Sequence, residues 1–113
     1  PTYLEKTRVL VEKYEEARAK WLATDDLSQI ARAALQNNVK HLMIEADRQI
    51  PLTINPNTME LEESDLDNPE HDDLLDDLAE LVFRSKGEVV VLPKERMPSD
   101  TGAAAIFRFL SVV

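Results

Sequence analysis

A chain of 113 residues with 43% hydrophobic and 31% charged side chains has the size and balance of a single globular domain, so residues 1–113 are expected to share one core. It contains no cysteine, which excludes disulfides, thiolate metal sites and a cysteine nucleophile. The 22 acidic against 13 basic residues leave a formal charge of −9, which repels phosphate backbones and argues against direct, extensive nucleic-acid binding.

No apolar run approaches the roughly 18–20 residues that cross a bilayer, and the N-terminus lacks a basic-then-apolar signal pattern. A cytoplasmic protein without membrane attachment is expected. The sequence opens Pro1-Thr2-Tyr3 without an initiator methionine, and the expectation is the C-terminal part of a longer protein.

Tyr3, Thr7, Leu10, Tyr14, Ala17 and Trp21 recur at alternating steps of four and three, which predicts a helix over 3–21 with that stripe packed on the core. Thr24-Asp25-Asp26 interrupts it and offers cap oxygens to a second helix, whose Leu27, Ile30, Ala31, Ala34 and Leu35 share one face. Asn37-Asn38 ends that helix, since asparagine tolerates the left-handed conformation. A strand follows over 39–46. Its Leu42-Met43-Ile44 is apolar on both faces, the pattern of a central strand covered by helices on each side.

Residues 50–54 read as a short strand that Pro51 restricts to an edge or a strand start. Residues 55–67, with Pro56 and several carboxylates, read as an exposed loop. Asn68-Pro69 pairs a cap oxygen with proline at the first helical position, so a third helix is expected to start there and to bury Leu74, Leu75, Leu78, Ala79 and Val82. Gly87 is expected to close it. Val89-Val90-Val91 predicts a second buried strand over 88–92, stopped by Pro93. The apolar stretch 103–113 predicts a last strand, antiparallel to its neighbour, with Arg108 exposed opposite Phe107 and Phe109 and paired with a carboxylate of a covering helix. Helices alternating with strands imply an α/β fold, one mixed sheet between two helical layers in a three-layer α/β/α sandwich.

Catalytic chemistry finds little support. Asp65, Asp67, Glu70, His71, Asp72 and Asp73 are dense in carboxylates but do not match a calcium loop, which needs a glycine at its sixth position. An acidic helix start stabilised by the macrodipole accounts for them, and a metal-assisted hydrolase built on this loop stands only as a lesser alternative. Zinc lacks ligands, with only His41 and His71 in the chain. No serine lies in a Gly-x-Ser-x-Gly elbow, and the two glycines, Gly87 and Gly102, cannot form a phosphate-cradling loop. No catalytic residue, cofactor or metal is therefore assigned, and the domain is expected not to be an enzyme. The connection Lys94-Glu95-Arg96-Met97-Pro98-Ser99-Asp100-Thr101-Gly102 mixes bases, a methionine and a glycine. It reads either as a strand-to-strand link or as a partner-binding loop carried by Arg96, Met97, Asp100 and Gly102.

Several segments in order are similar to one family. They are Ile30-Ala31-Arg32-Ala33-Ala34 before the 39–46 strand, Asp73-Leu74-Leu75-Asp76-Asp77-Leu78-Ala79, Gly87-Glu88-Val89-Val90-Val91-Leu92, Met97-Pro98, and Gly102-Ala103-Ala104-Ala105-Ile106-Phe107-Arg108-Phe109. Together they resemble the C-terminal domain of the bacterial archaeo-eukaryotic release factor family, related to peptide chain release factors and to Pelota. The resemblance implies the α/β/α architecture shared with kink-turn-binding ribosomal proteins. It also implies a non-catalytic domain that docks on the ribosome or on a translational GTPase, because hydrolysis in that family uses a Gly-Gly-Gln motif of another domain, and this chain has no such tripeptide. The kink-turn relatives suggest RNA binding as an alternative, which the charge of −9 opposes.

Overall fold

A computed structural model describes residues 3–64 and 73–110. The order of elements is α1 (Tyr3–Ala19), β1 (Ala23–Thr24), α2 (Leu27–Leu35), β2 (Val39–Glu45), β3 (Leu52–Ile54), β4 (Leu61–Glu63), α3 (Leu74–Arg84), β5 (Glu88–Leu92), a 3₁₀ turn (Lys94–Arg96) and β6 (Ala103–Phe107). Four strands form a mixed sheet in the order β1-β6-β2-β5, with β5 parallel to β2 and β6 antiparallel to both β2 and β1. The β2 strand is internal, as its two-sided apolar run requires.

Alternation along the strands divides the core into two layers. Leu42 and Ile44 of β2 and Ala103, Ala105 and Phe107 of β6 face α2 and α3, where Ile30, Leu74, Leu78 and Val82 meet them. On the other face Met43, Ala104, Ile106 and Leu92 pack under Leu10 and Tyr14 of α1. The sheet thus lies between α1 on one side and α2 with α3 on the other, the expected three-layer α/β/α sandwich. Three consecutive alanines in β6 leave room for helices to approach it from both faces.

Several boundaries differ from the sequence expectation. Helix α1 stops at Ala19, and the ends of its stripe, Tyr3 and Trp21, are exposed while Thr7, Leu10 and Tyr14 are buried. The break at 24–26 also contains a strand, since Ala23 and Thr24 pair with Ile106 and Ala105. Asp26 then caps α2 by accepting from the Gln29 N–H at 3.1 Å. Residues 55–64 are a hairpin arm rather than a loop throughout. Leu52, Thr53 and Ile54 pair with Glu63, Glu62 and Leu61, and the apolar members of this ribbon pack on the α2/α3 side of the core. These two strands form their own small sheet.

The expected start of α3 at Asn68-Pro69 lies outside the described residues; within them Asp73 is the cap, accepting from the Leu75 N–H at 3.3 Å. At its C-terminus the left-handed residue is Lys86, with φ 67°, not Gly87. Gly87 N–H reaches back to the Val82 carbonyl at 2.8 Å, completing a Schellman closure. Strand β6 ends at Phe107. Arg108, exposed as expected, donates from its guanidinium to the Ser85 carbonyl at 2.6 Å instead of meeting a carboxylate, because that carbonyl lies at the α3 terminus where backbone acceptors are free.

Candidate functional site

The turn after β2 and the connection after β5 converge at the end of the sheet marked by Glu45, Leu92 and Ala103. The connection is held by hydrogen bonds at nearly every step. Arg48 donates to the Asp100 carbonyl at 3.0 Å and to the Glu45 carboxylate at 3.3 Å. Thr101 donates to the Asp25 carbonyl at 2.7 Å, Ser99 donates to the Ala103 carbonyl at 2.7 Å, and the Gly102 carbonyl accepts from Glu45 N–H at 3.0 Å. A loop fixed in this way presents its side chains without further backbone ordering cost.

The four residues singled out in the sequence take different places. Arg96 is exposed at the end of the 3₁₀ turn and lines a groove whose other wall is α1, with Leu4, Arg8 and Val11. Met97 is half-buried and packs against the layer under α1. The Asp100 side chain is exposed, and it shares a separate polar depression with Glu45, Arg48 and Lys94. Gly102 is buried at φ 102°, and a Cβ there would sit 3.1–3.2 Å from Ile50 and Arg48 side-chain atoms. Arg96 and Asp100 are therefore available to a partner, whereas Met97 and Gly102 build the loop.

The groove has a character that the sequence did not reveal. Arg8 and Arg96 come from opposite ends of the chain and line it together beside the exposed Leu4. Glu5 of α1 lines the groove as well, so two guanidiniums and one carboxylate stand together beside apolar surface. Neither arginine forms an ion pair among the described residues. Leu4 and Arg8 lie at i and i+4 on α1, outside the buried stripe, and only the packing of α1 across the sheet brings them to residue 96.

The acidic segment yields less. Asp65, Asp67, Glu70, His71 and Asp72 lie outside the described residues, and Asp73 serves as a helix cap. Among the described residues no three metal-ligating side chains cluster. His41 sits in β2 with Nδ1 2.9 Å from the Glu88 carboxylate of the adjacent parallel strand, a cross-strand pair at the sheet margin.

Neither a protein-family model nor a curated protein matches this sequence. Solved structures do match. The C-terminal domain of a peptide chain release factor from Methanosarcina mazei superposes with a TM-score of 0.66 at 20% identity, over 96% of this chain and 84% of that one. The chain has the fold of the release-factor C-terminal domain. Pelota from Archaeoglobus fulgidus gives a TM-score of 0.65 at 21% identity, and an archaeal Pelota described as ribosome-bound with ABCE1 gives 0.63 at 21%. Each covers 94% of this chain, which spans only 30% and 26% of the two Pelota chains. The release-factor fold thus accounts for nearly the whole of the chain.

Proposed function

We propose that this is a non-catalytic docking domain of a release-factor-like translation protein, which attaches that protein to the ribosome or to a translational GTPase bound there. The observation that carries the reading is the match to an isolated release-factor C-terminal domain over most of both chains, with ribosome-bound Pelota among the similar structures. The lack of a catalytic constellation in the sequence agrees with it, and the hydrogen-bonded loop over 94–102 offers a fixed backbone from which exposed side chains can be recognised.

The proposed contact is the groove between α1 and the 3₁₀ turn. Arg8 and Arg96 supply planar, weakly hydrated donors, and Leu4 supplies apolar surface, a combination enriched at interfaces. Asp100 lies at the margin of this end. The test is co-sedimentation of the chain with ribosomes, together with affinity capture from cell extract. Recovery of ribosomal components or a translational GTPase is expected, and Arg96→Glu should weaken that binding by about tenfold without lowering thermal stability. Recovery of neither, or full binding by Arg96→Glu, overturns the proposal or its placement respectively.

A further inference from the structure

The opposite end of the sheet, where Ala23, Val39, Phe107 and Glu88 lie, carries a second surface that the fold does not need. Trp21 follows α1 in the left-handed conformation, with φ 63°, and is 82% exposed. Its backbone closes the helix: Trp21 N–H donates to the Arg18 carbonyl at 3.1 Å, and Leu22 N–H to the Ala17 carbonyl at 2.8 Å. Glycine would serve at this position with less strain, by about 1 kcal/mol. A large aromatic there breaks the local preference, and the burial of its ring recovers little.

Trp21 does form one wall of a groove. Phe107, Leu110 and Ala33 supply further apolar surface, Ser28 and Gln29 of α2 supply neutral polar groups, and Arg32 of α2 supplies the one charge among the described residues that line it. Leu110 and neighbouring Phe109 are 56% and 59% exposed. Arg32 forms no ion pair among the described residues, and Lys20 stands exposed beside Trp21. An unpaired guanidinium beside an open tryptophan selects, locally and against the overall charge of −9, a partner that brings both a carboxylate and an apolar side chain.

We propose that this groove docks an acidic protein segment, which inserts a leucine or aromatic side chain between Trp21 and Leu110 and sets a carboxylate on Arg32. A protein segment fits better than RNA, since the lining is mostly apolar with a single cation, whereas RNA affinity rests on neutralising several phosphates. The proposal does not depend on the function proposed above, because the two surfaces occupy opposite ends of the sheet.

Trp21 is the only tryptophan of the chain, so its emission reports this site alone. The probes are three synthetic peptides of equal length. One alternates glutamate with leucine and phenylalanine, the second replaces glutamate with lysine, and the third replaces the apolar residues with alanine. The first should shift Trp21 emission to the blue and saturate, and the other two should bind at least about tenfold more weakly. Arg32→Glu should reverse the preference between the first two. By anisotropy of a labelled peptide, Trp21→Gly should abolish binding while raising the melting temperature, which separates docking from a structural role; Leu110→Ser provides an independent loss of binding. Equal binding of the lysine peptide, or a stronger response to a short single-stranded RNA, overturns the proposal. So does a blue shift that grows with protein concentration alone, which means a second copy fills the groove, or a red shift on deleting residues 111–113, which means the chain's own end does.

Discussion

The Asp73 carboxylate accepts a hydrogen bond from the Ile50 N–H at 2.9 Å, across 23 residues of sequence. The same oxygen accepts from Leu75 N–H at 3.3 Å, and Leu74 N–H donates to the Ile50 carbonyl at 2.9 Å. One buried side chain therefore caps α3 and fastens that helix to the segment entering the β3–β4 ribbon. Asp73→Ala removes a cap worth about 1 kcal/mol and strands a buried N–H at about 1–3 kcal/mol. The expected loss is about 2–3 kcal/mol by urea denaturation. Asp73→Asn, which keeps an acceptor oxygen, should lose less than half of that. A loss below about 1 kcal/mol for the alanine variant would mean that the clamp carries no weight.

Lys86 and Gly87 divide between them what a single C-terminal glycine was expected to do. Lys86 adopts φ 67°, whereas a Cβ on Gly87 would lie 2.6 Å from Val82 Cγ1 and 2.7 Å from the Val39 carbonyl oxygen. Lys86→Gly should therefore stabilise by about 0.5–1 kcal/mol, and Gly87→Ala should destabilise by about 2–3 kcal/mol through overpacking. Melting temperatures of the two variants check both signs. A stabilising Gly87→Ala would contradict the close approach of β2 to this turn.

These two residues also show what could be read from the sequence and what could not. The apolar run Leu42-Met43-Ile44 and the stripes of α2 and α3 suffice for the layers, because burial on known periods leaves few other solutions, whereas Val89-Val90-Val91 forms a strand at the sheet edge with Val91 exposed, not the second buried strand expected. Strand β1 escapes because two residues carry no period. Strand β4 escapes because Glu62 and Glu63 sit on a ribbon exposed along one side, and Leu61 alone signals the core. Trp21 completes the α1 stripe on paper but falls past the helix end, where the left-handed turn rotates it into solvent. The groove at Arg96 was half legible. The polar loop is visible in the sequence, yet Arg8 reaches it only through the packing of α1 over the sheet.

Tyr14 points from α1 onto the sheet and is fully buried, and among the described residues its hydroxyl makes no well-formed hydrogen bond, with Arg18 its nearest polar neighbour. Burial pushes its pKa above the ordinary 10.0, the negative charge of Asp25 pushes it further, and the positive charge of Arg18 partly opposes the rise. A raised folded-state pKa means that the neutral phenol is favoured in the native protein. Its contribution is complete below the unfolded-state pKa and is lost as pH rises from about 10 through the folded value. Tyr14→Phe should raise stability at pH 7 by at most about 1 kcal/mol, since the hydroxyl it removes is at best weakly satisfied by Arg18, and should flatten the decline of stability above pH 10. Thermal unfolding between pH 8 and 11 tests this. An unchanged alkaline slope in the variant would show that other groups govern that limb.

Asn38 ties the end of α2 to the chain leaving β6. It is 1% exposed, its Oδ1 accepts from Arg108 N–H and Phe109 N–H at 3.1 Å each, and its Nδ2 donates to the Phe109 carbonyl at 3.2 Å. Its own N–H closes α2 on the Ala33 carbonyl at 2.8 Å, so its position is set by the helix before its side chain acts. Asn38→Ala leaves the Phe109 N–H and carbonyl without these partners, and leaves Arg108 N–H only its long 3.4 Å bond to the Asn38 carbonyl, so it should cost about 2–3 kcal/mol. Asn38→Asp keeps the two accepted bonds but turns a donor into an oxygen facing the Phe109 carbonyl. In the ionised state that variant should be nearly as unstable as alanine. Once protonated, the introduced carboxyl can donate to the carbonyl again. The penalty of Asn38→Asp relative to the parent should therefore shrink as pH falls from 7 to 4, while that of Asn38→Ala stays constant. Parallel urea titrations at both pH values distinguish the two behaviours, and a pH-independent penalty for Asn38→Asp would show that its charge is solvated and the buried placement of Asn38 is wrong.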